Sequence, residues 1–151
     1  MLSPPLTGSH LKIPSVCVNA ELPEKYRKDA HSWEQNKNAA ILSRKACDLF
    51  FDNYVPEQPD RGNEQFSPLI FETGHAGLPP SYFQICGADP LRDEALIYER
   101  VLREEEGIKT KVDVYPGLPH GFWSVFSTIP SSKTFVEDSA KGVQWLLEQK
   151  R

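Results

Sequence analysis

Between residues 81 and 147 the apolar positions change period repeatedly, and no other feature of this 151-residue sequence constrains the fold as tightly. Residues 82–86, YFQIC, form an apolar run of strand length, closed by the turn residues Gly87, Ala88, Asp89 and Pro90. Leu91, Ala95, Tyr98 and Leu102 then recur at spacings of four, three and four, which lines one face of a helix. Asp93 and Glu94 stand in its first turn, where the helix dipole favours negative charge, and Gly107 is placed to close it. Residues 111–115, KVDVY, alternate with period two. Val136, Ala140, Val143 and Leu147 restore the spacing of four, three and four. Strand, helix, strand, helix predicts an α/β fold whose two strands run parallel, because a helical crossover returns the chain to the same end of the sheet.

The earlier part of the chain is less regular. Residues 11–18, LKIPSVCV, read as a buried strand, with Pro14 marking a bulge or an edge. Residues 20–37 are polar, with Tyr26 and Trp33 as isolated aromatics. Residues 38–54 predict a helix with Leu42, Ala46, Leu49 and Phe50 on its apolar face, ended by Pro56. Residues 56–80, with five prolines and three glycines, form a long connection of the kind that is functional or disordered.

Composition narrows the function. The net charge is −4 with no basic stretch, so no nucleic-acid partner is expected. No apolar run approaches the length of about 18 residues that a membrane span needs, and residues 1–10 lack the pattern of a secretory signal. Three cysteines, Cys17, Cys47 and Cys86, are an odd number at wide spacing, expected as buried free thiols in a reducing, cytoplasmic compartment. His10, His31, His75 and His120 do not cluster with cysteines or acids at ligand spacing, so no metal is expected.

Open parallel sheets place their sites in loops beyond the carboxyl ends of the strands. Asp89 and His120 hold that position after two consecutive strands, separated by one turn, one helix and one strand. Neighbouring strands lie about 4.8 Å apart, so a carboxylate and an imidazole on adjacent loops can reach hydrogen-bond distance. Such a contact would fix one tautomer of the ring and stabilise the imidazolium formed when it takes a proton. Taken alone, His120 is a turn histidine between Pro119 and Gly121, and Asp89 an Asx-turn residue before Pro90.

Together these residues resemble a known family. Residues 87–123, GADPLRDEALIYERVLREEEGIKTKVDVYPGLPHGFW, are similar to the C-terminal half of the hormone-sensitive-lipase-like esterases, α/β hydrolases that cleave carboxylic esters. That family carries an Asp in a D-P-L-R-D loop, then a helix, a strand and His-Gly-Phe. The resemblance implies that Asp89 is the triad acid and His120 the general base, that the substrate is a small-molecule ester, and that no metal or organic cofactor takes part. More loosely, residues 6–18 resemble the strand after the nucleophile helix. Residues 19–65 resemble a cap-like insertion, whose EQNKNAAIL and FFDNYVP are similar to fungal members. The implied fold is the C-terminal part of an α/β-hydrolase domain spanning residues 1–151: about three parallel strands, flanking helices, the insertion at 19–65, and a strand-helix-strand-helix core at 81–151.

The departure from the family is large. The triad order there is Ser, acid, His, with the serine in G-x-S-x-G on a strand-to-helix turn. These residues contain no G-x-S-x-G and no His-Gly-Gly-Gly, and Thr73-Gly74-His75-Ala76-Gly77 is only an echo of the latter, far downstream. A strand, elbow and helix need about 30 residues, whereas residues 1–10 alone precede the first expected strand. The expectation is a portion bearing acid and base without nucleophile. Ser81, Ser124 and Cys86 stand near the motif, but none is expected to replace the serine; Phe122 and Trp123 are core or acyl-pocket residues, and Glu104, Glu105 and Glu106 a solvated helix end. Two functions remain: an ester hydrolase, or a non-catalytic module binding an apolar ligand or a protein through the insertion. The strand at 11–18 is expected to offer an open apolar edge. The isolated chain should therefore self-associate or need a partner for that edge in sizing chromatography; a monomer with a sharp two-state thermal transition would overturn this.

Overall fold

β2 (Ser81–Cys86) is buried at every position, and the other elements are arranged around it. The computed structural model describes residues 6–149. β1 (Ser9–Lys12) and β3 (Thr110–Tyr115) flank β2, both parallel to it, in the order β1-β2-β3. This is the expected α/β arrangement of three parallel strands. Alternation along β2 sends Phe83 and Ile85 to one face, where Leu11, Ala95, Tyr98 and Leu102 meet them. Helix α4 (Arg92–Arg100), extended by a π turn over Val101–Glu105, covers that face. The long final helix α6 (Pro130–Glu148) covers the other, over Tyr82 and Gln84. Three short helices and a capped fourth complete the chain: α1 (Glu24–Arg27), α2 (Ser32–Gln35), α3 (Arg44–Tyr54) and α5 (Phe122–Val125).

The structure corrects or sharpens several of these expectations. The strand expected over residues 11–18 runs only over Ser9–Lys12. Ile13 takes φ +42°, a conformation costly for a β-branched residue, and Pro14 has no N–H for a ladder. Val16 and Cys17 stay buried but give their N–H groups to the Glu94 carboxyl instead of a strand. Helix α3 begins only at Arg44, because the Ser43 hydroxyl caps it by accepting from the Ala46 N–H. Its buried contacts are Cys47 and, in part, Ala46 and Phe51, while Leu49 and Phe50 are exposed. On α6 the expected face of Val136, Ala140, Val143 and Leu147 is the exposed one; Ser132, Phe135, Gly142 and Leu146 are buried instead. Finally, residues 56–80 are tied down: Leu69 is buried and bonds to Val16, Ser67 accepts from the Val18 N–H, and the His75 N–H donates to Glu106. Glu105 likewise binds Tyr26 and Lys25, so the acidic run is an anchor as well as a solvated end.

The choice of face on α6 has a polar cause. Gln84 is fully buried; its amide donates to the Tyr115 hydroxyl and the Phe135 carbonyl, and its oxygen accepts from the Ser139 hydroxyl. Tyr82 donates to Asp113 and bridges to the Asp138 carbonyl. Turning α6 to bury its valines would break the bonds of Gln84 to Phe135 and Ser139 and of Tyr82 to Asp138, at about 0.5–1.5 kcal/mol each. Gly142 lies over the Tyr82 ring so closely that a Cβ there would fall 1.9 Å from Cε1. The ring is held by its hydroxyl and cannot step aside. Gly142→Ala should therefore lower stability by about 3 kcal/mol, the upper range for overpacking, read as a fall in the urea midpoint; an unchanged midpoint would show that α6 slides freely.

Candidate active site

The rung Cys86–Tyr115 ends the β2–β3 ladder, and two further bonds carry it into the loops. The Gly87 N–H donates to the Tyr115 carbonyl at 2.8 Å, and the Ala88 N–H to the Leu118 carbonyl at 3.0 Å. A side chain at Gly87 would meet the Gly117 nitrogen and Pro116 Cα at 2.9 Å, both backbone atoms with nowhere to go. Glycine thus lets the two loops touch.

On that contact stand the two residues that the sequence singled out. Asp89 is 1% exposed. Its Oδ1 accepts from the Leu91 N–H at 2.9 Å, the Asx turn, and its Oδ2 lies 2.6 Å from His120 Nδ1. One carboxylate therefore closes the Asx turn and also meets the ring. With the carboxylate as acceptor the proton of the second bond belongs to Nδ1, and a neutral ring then keeps its lone pair on Nε2. The His120 side chain is 24% exposed, its partner 2%: a ring open to a reactant, held by an acid closed to solvent. Gly121, at φ +68°, turns the chain from His120 into α5. Phe122 is fully buried against Tyr115 and Phe135, and Trp123 stacks on Phe135 at 3.7 Å, so this aromatic pair packs as core.

The acids that follow Asp89 are held differently. Arg92 pairs with Asp93, its neighbour in sequence, at 2.7 Å. Burial works against the Asp93 charge, yet hydrogen bonds from Arg92 and from the His31 and Ser32 N–H groups outweigh it and hold the carboxyl below its ordinary value. Glu94, expected only as a favourable charge near a helix start, is instead buried beside the site. Burial, helped by the Asp89 charge, raises it to about 8, against the pull of the Val16 and Cys17 N–H groups and Ser15. The apolar run at residues 11–18 carries no sign that its N–H groups need a carboxyl. Cys17, Cys47 and Cys86 are buried free thiols, as expected, each pushed up to about 12 chiefly by burial. Ser81 is buried and bonded to the Pro79 carbonyl, and Ser124 to the Gly121 carbonyl. Among the described residues no group of three His, Cys, Asp or Glu could hold a metal ion, and no helix is long and apolar enough to cross a membrane.

A parallel sheet that pairs an imidazole with a buried carboxylate on consecutive strand-end loops has the geometry to hold one tautomer of the ring at that end. The chain belongs to the α/β-hydrolase family: the family described as alpha/beta hydrolase fold matches residues 4–124. An AB hydrolase superfamily protein of Schizosaccharomyces pombe is 38% identical over 146 residues, covering 97% of this chain and 42% of its own length. A versiconal hemiacetal acetate esterase of Dothistroma septosporum is 37% identical, covering 95% of this chain and 43% of its own. The crystal structure of vibralactone cyclase superposes with a TM-score of 0.87 at 38% identity, over 94% of this chain and 40% of that one. The chain thus spans roughly two fifths of the relatives it matches.

Glu94 supplies a pH test. Its value rises from 4.5 to about 8 on folding, so across that interval the folded state holds a proton that the unfolded state has lost. The Glu94 contribution to stability therefore falls as pH climbs from about 4.5 to about 8 and levels off above. His10 and His75, lowered from 6.5 by burial, act in the opposite sense below that value and are common to both proteins compared. Glu94→Gln should flatten the profile of urea midpoint against pH, by an amount on the order of a few kcal/mol; parallel profiles for variant and wild type would overturn the assignment.

Proposed function

We propose that this chain is the acid-and-base portion of a carboxylic-ester hydrolase, with residues 19–65 as its cap and the nucleophilic serine supplied from outside these residues. The observation that carries the reading is the 2.6 Å contact between Asp89 Oδ2 and His120 Nδ1 at the carboxyl end of the sheet. Membership of the α/β-hydrolase family and the esterase name of the Dothistroma septosporum relative support it. His120 Nε2 takes the serine proton as the hydroxyl attacks the ester carbonyl, then returns it to the leaving alcohol. Asp89 holds the ring in that tautomer and stabilises the imidazolium. Water, deprotonated by the same nitrogen, releases the acid from the acyl-enzyme. Ser81 and Ser124 are bonded to carbonyls, and Cys86 is a buried thiol pushed up to about 12, so none of them offers an activated nucleophile.

One observation favours a second, non-catalytic reading. Phe50, Phe51, Tyr54, Phe66 and Pro68 line an apolar concavity of about 490 Å³ on α3, large enough for a small apolar ligand.

Complementation separates the two. The chain alone should give neither fluorophosphonate labelling nor turnover of a short-chain nitrophenyl ester. Co-expressed with the portion of the Schizosaccharomyces pombe relative that lies outside the match, the purified complex should gain both. His120→Ala and Asp89→Asn should then each cut kcat by roughly 10³–10⁴. Hydrolysis by the complex that survives His120→Ala would sink the catalytic reading and leave the ligand-binding one.

A further inference from the structure

This inference rests on the pairing of Asp89 with His120 and concerns how the acid is held. Beyond Ala88 the turn that carries Asp89 leaves the β2–β3 ladder, yet a carboxylate that orients an imidazole must hold its place to within about 0.5 Å. The turn's carbonyls are taken up from across the fold. The Asn36 amide donates to the Asp89 carbonyl at 3.0 Å and reaches the Gly87 carbonyl at 3.5 Å, and Arg92 Nη1 donates to the same Gly87 oxygen at 3.0 Å. The Ser32 hydroxyl donates to the Pro90 carbonyl at 2.7 Å and accepts from the Asp93 N–H at 3.0 Å. In return Asp93 Oδ2 accepts from the His31 and Ser32 N–H groups, each at 2.7 Å, and Arg92 Nη2 donates to Gln35 Oε1 at 2.8 Å. These bonds cross more than fifty positions of sequence, between residues 31–36 and the acid's own turn. Ser32 and Asp93 are buried, 2% and 6% exposed.

We propose that residues 31–36, on and around α2, act as a positioning clamp for Asp89, with Asn36 and Ser32 fixing the backbone from which its carboxylate meets His120. Contact through apolar packing would hold α2 against α4 without aiming at carbonyls. Here the donors converge on the oxygens of Gly87, Asp89 and Pro90, the turn whose path decides where the Asp89 side chain points. Neither residue touches the imidazole; both act through Asp89. The segment that the proposed function treats as a cap is thereby fastened to the acid, so a displacement of residues 31–36 displaces the carboxylate.

The ring's tautomer reads this directly and needs no ester turnover. In the full chain labelled with ¹⁵N, long-range ¹H–¹⁵N correlation at a pH where the ring is neutral shows which His120 nitrogen carries the proton. Wild type should show His120 as the Nδ1–H form. Asn36→Ala and Ser32→Ala should turn it into a mixture with Nε2–H, the ratio of the two forms falling severalfold. Ser32→Thr, which keeps the hydroxyl, should restore the wild-type ring. Leu146→Ala, a core truncation beneath α6 on the other side of the sheet, should lower the urea midpoint and leave the tautomer alone. Wild-type tautomer ratios in Asn36→Ala and Ser32→Ala would overturn the clamp and spare the proposed function, as would an equal shift in Leu146→Ala. Asn36, half-buried with a single amide at stake, keeps the test open if Ser32→Ala fails to fold. A wild-type ring without the Nδ1–H form would overturn the Asp89–His120 pair itself and the proposed function with it.

Discussion

The parallel pairing of β2 with β3 sets the geometry on which the site depends. Two strands in register, with Cys86 opposite Tyr115, deliver their following loops to the same end of the sheet. Gly87 then lets backbone lie against backbone where any Cβ would collide. Asp89 and His120 need only short reaches from those loops to come within 2.6 Å. The contact is thus built mostly from main chain, which keeps side-chain freedom from blurring it.

Electrostatic cost shapes what lies behind the pair. Asp89, Asp93 and Glu94 bring three carboxyls into one buried neighbourhood, and three unpaired negative charges there would be prohibitive. Each escapes by a different route. Asp89 spends its two oxygens on His120 and the Leu91 N–H. Asp93 collects Arg92 and two N–H groups, enough to keep its charge against burial. Glu94, with neutral donors and no cation beside it, is raised to about 8 and at neutral pH is mainly protonated, which also spares Asp89 a like charge. A D-P-L-R-D-E string is therefore one acid that orients a ring and two that fasten neighbouring chain segments to it.

The sequence was most legible where local pattern and tertiary contact agree. The β2–α4–β3 unit follows from period alone, and the placing of Asp89 and His120 follows from that unit. It misled where the sheet offers polar rather than apolar partners. Counting apolar residues on α6 selects Val136, Ala140, Val143 and Leu147, but Gln84, Tyr82 and Tyr115 ask for Ser139, Asp138 and a glycine, and the helix turns to supply them. Periodicity was equally blind to Ile13 at positive φ and to Glu94 taking the Val16 and Cys17 N–H groups, because both depend on residues far away in sequence. Asn36 and Ser32 carried no signal: a polar residue in a polar segment does not announce which distant carbonyl it meets.

The three cysteines have a bearing that chemistry on the molecule can use. Cys17 belongs to the core cluster around Phe83 and Tyr98, Cys86 to the aromatic cluster under α6, and Cys47 to the cluster that joins α3 to Leu91. One thiol is thus sealed in each of three separate packing units, and burial silences all of them. A thiol reagent meets each sulfur only when the packing around it opens, so the order in which the three react would read out which part of the fold loosens first.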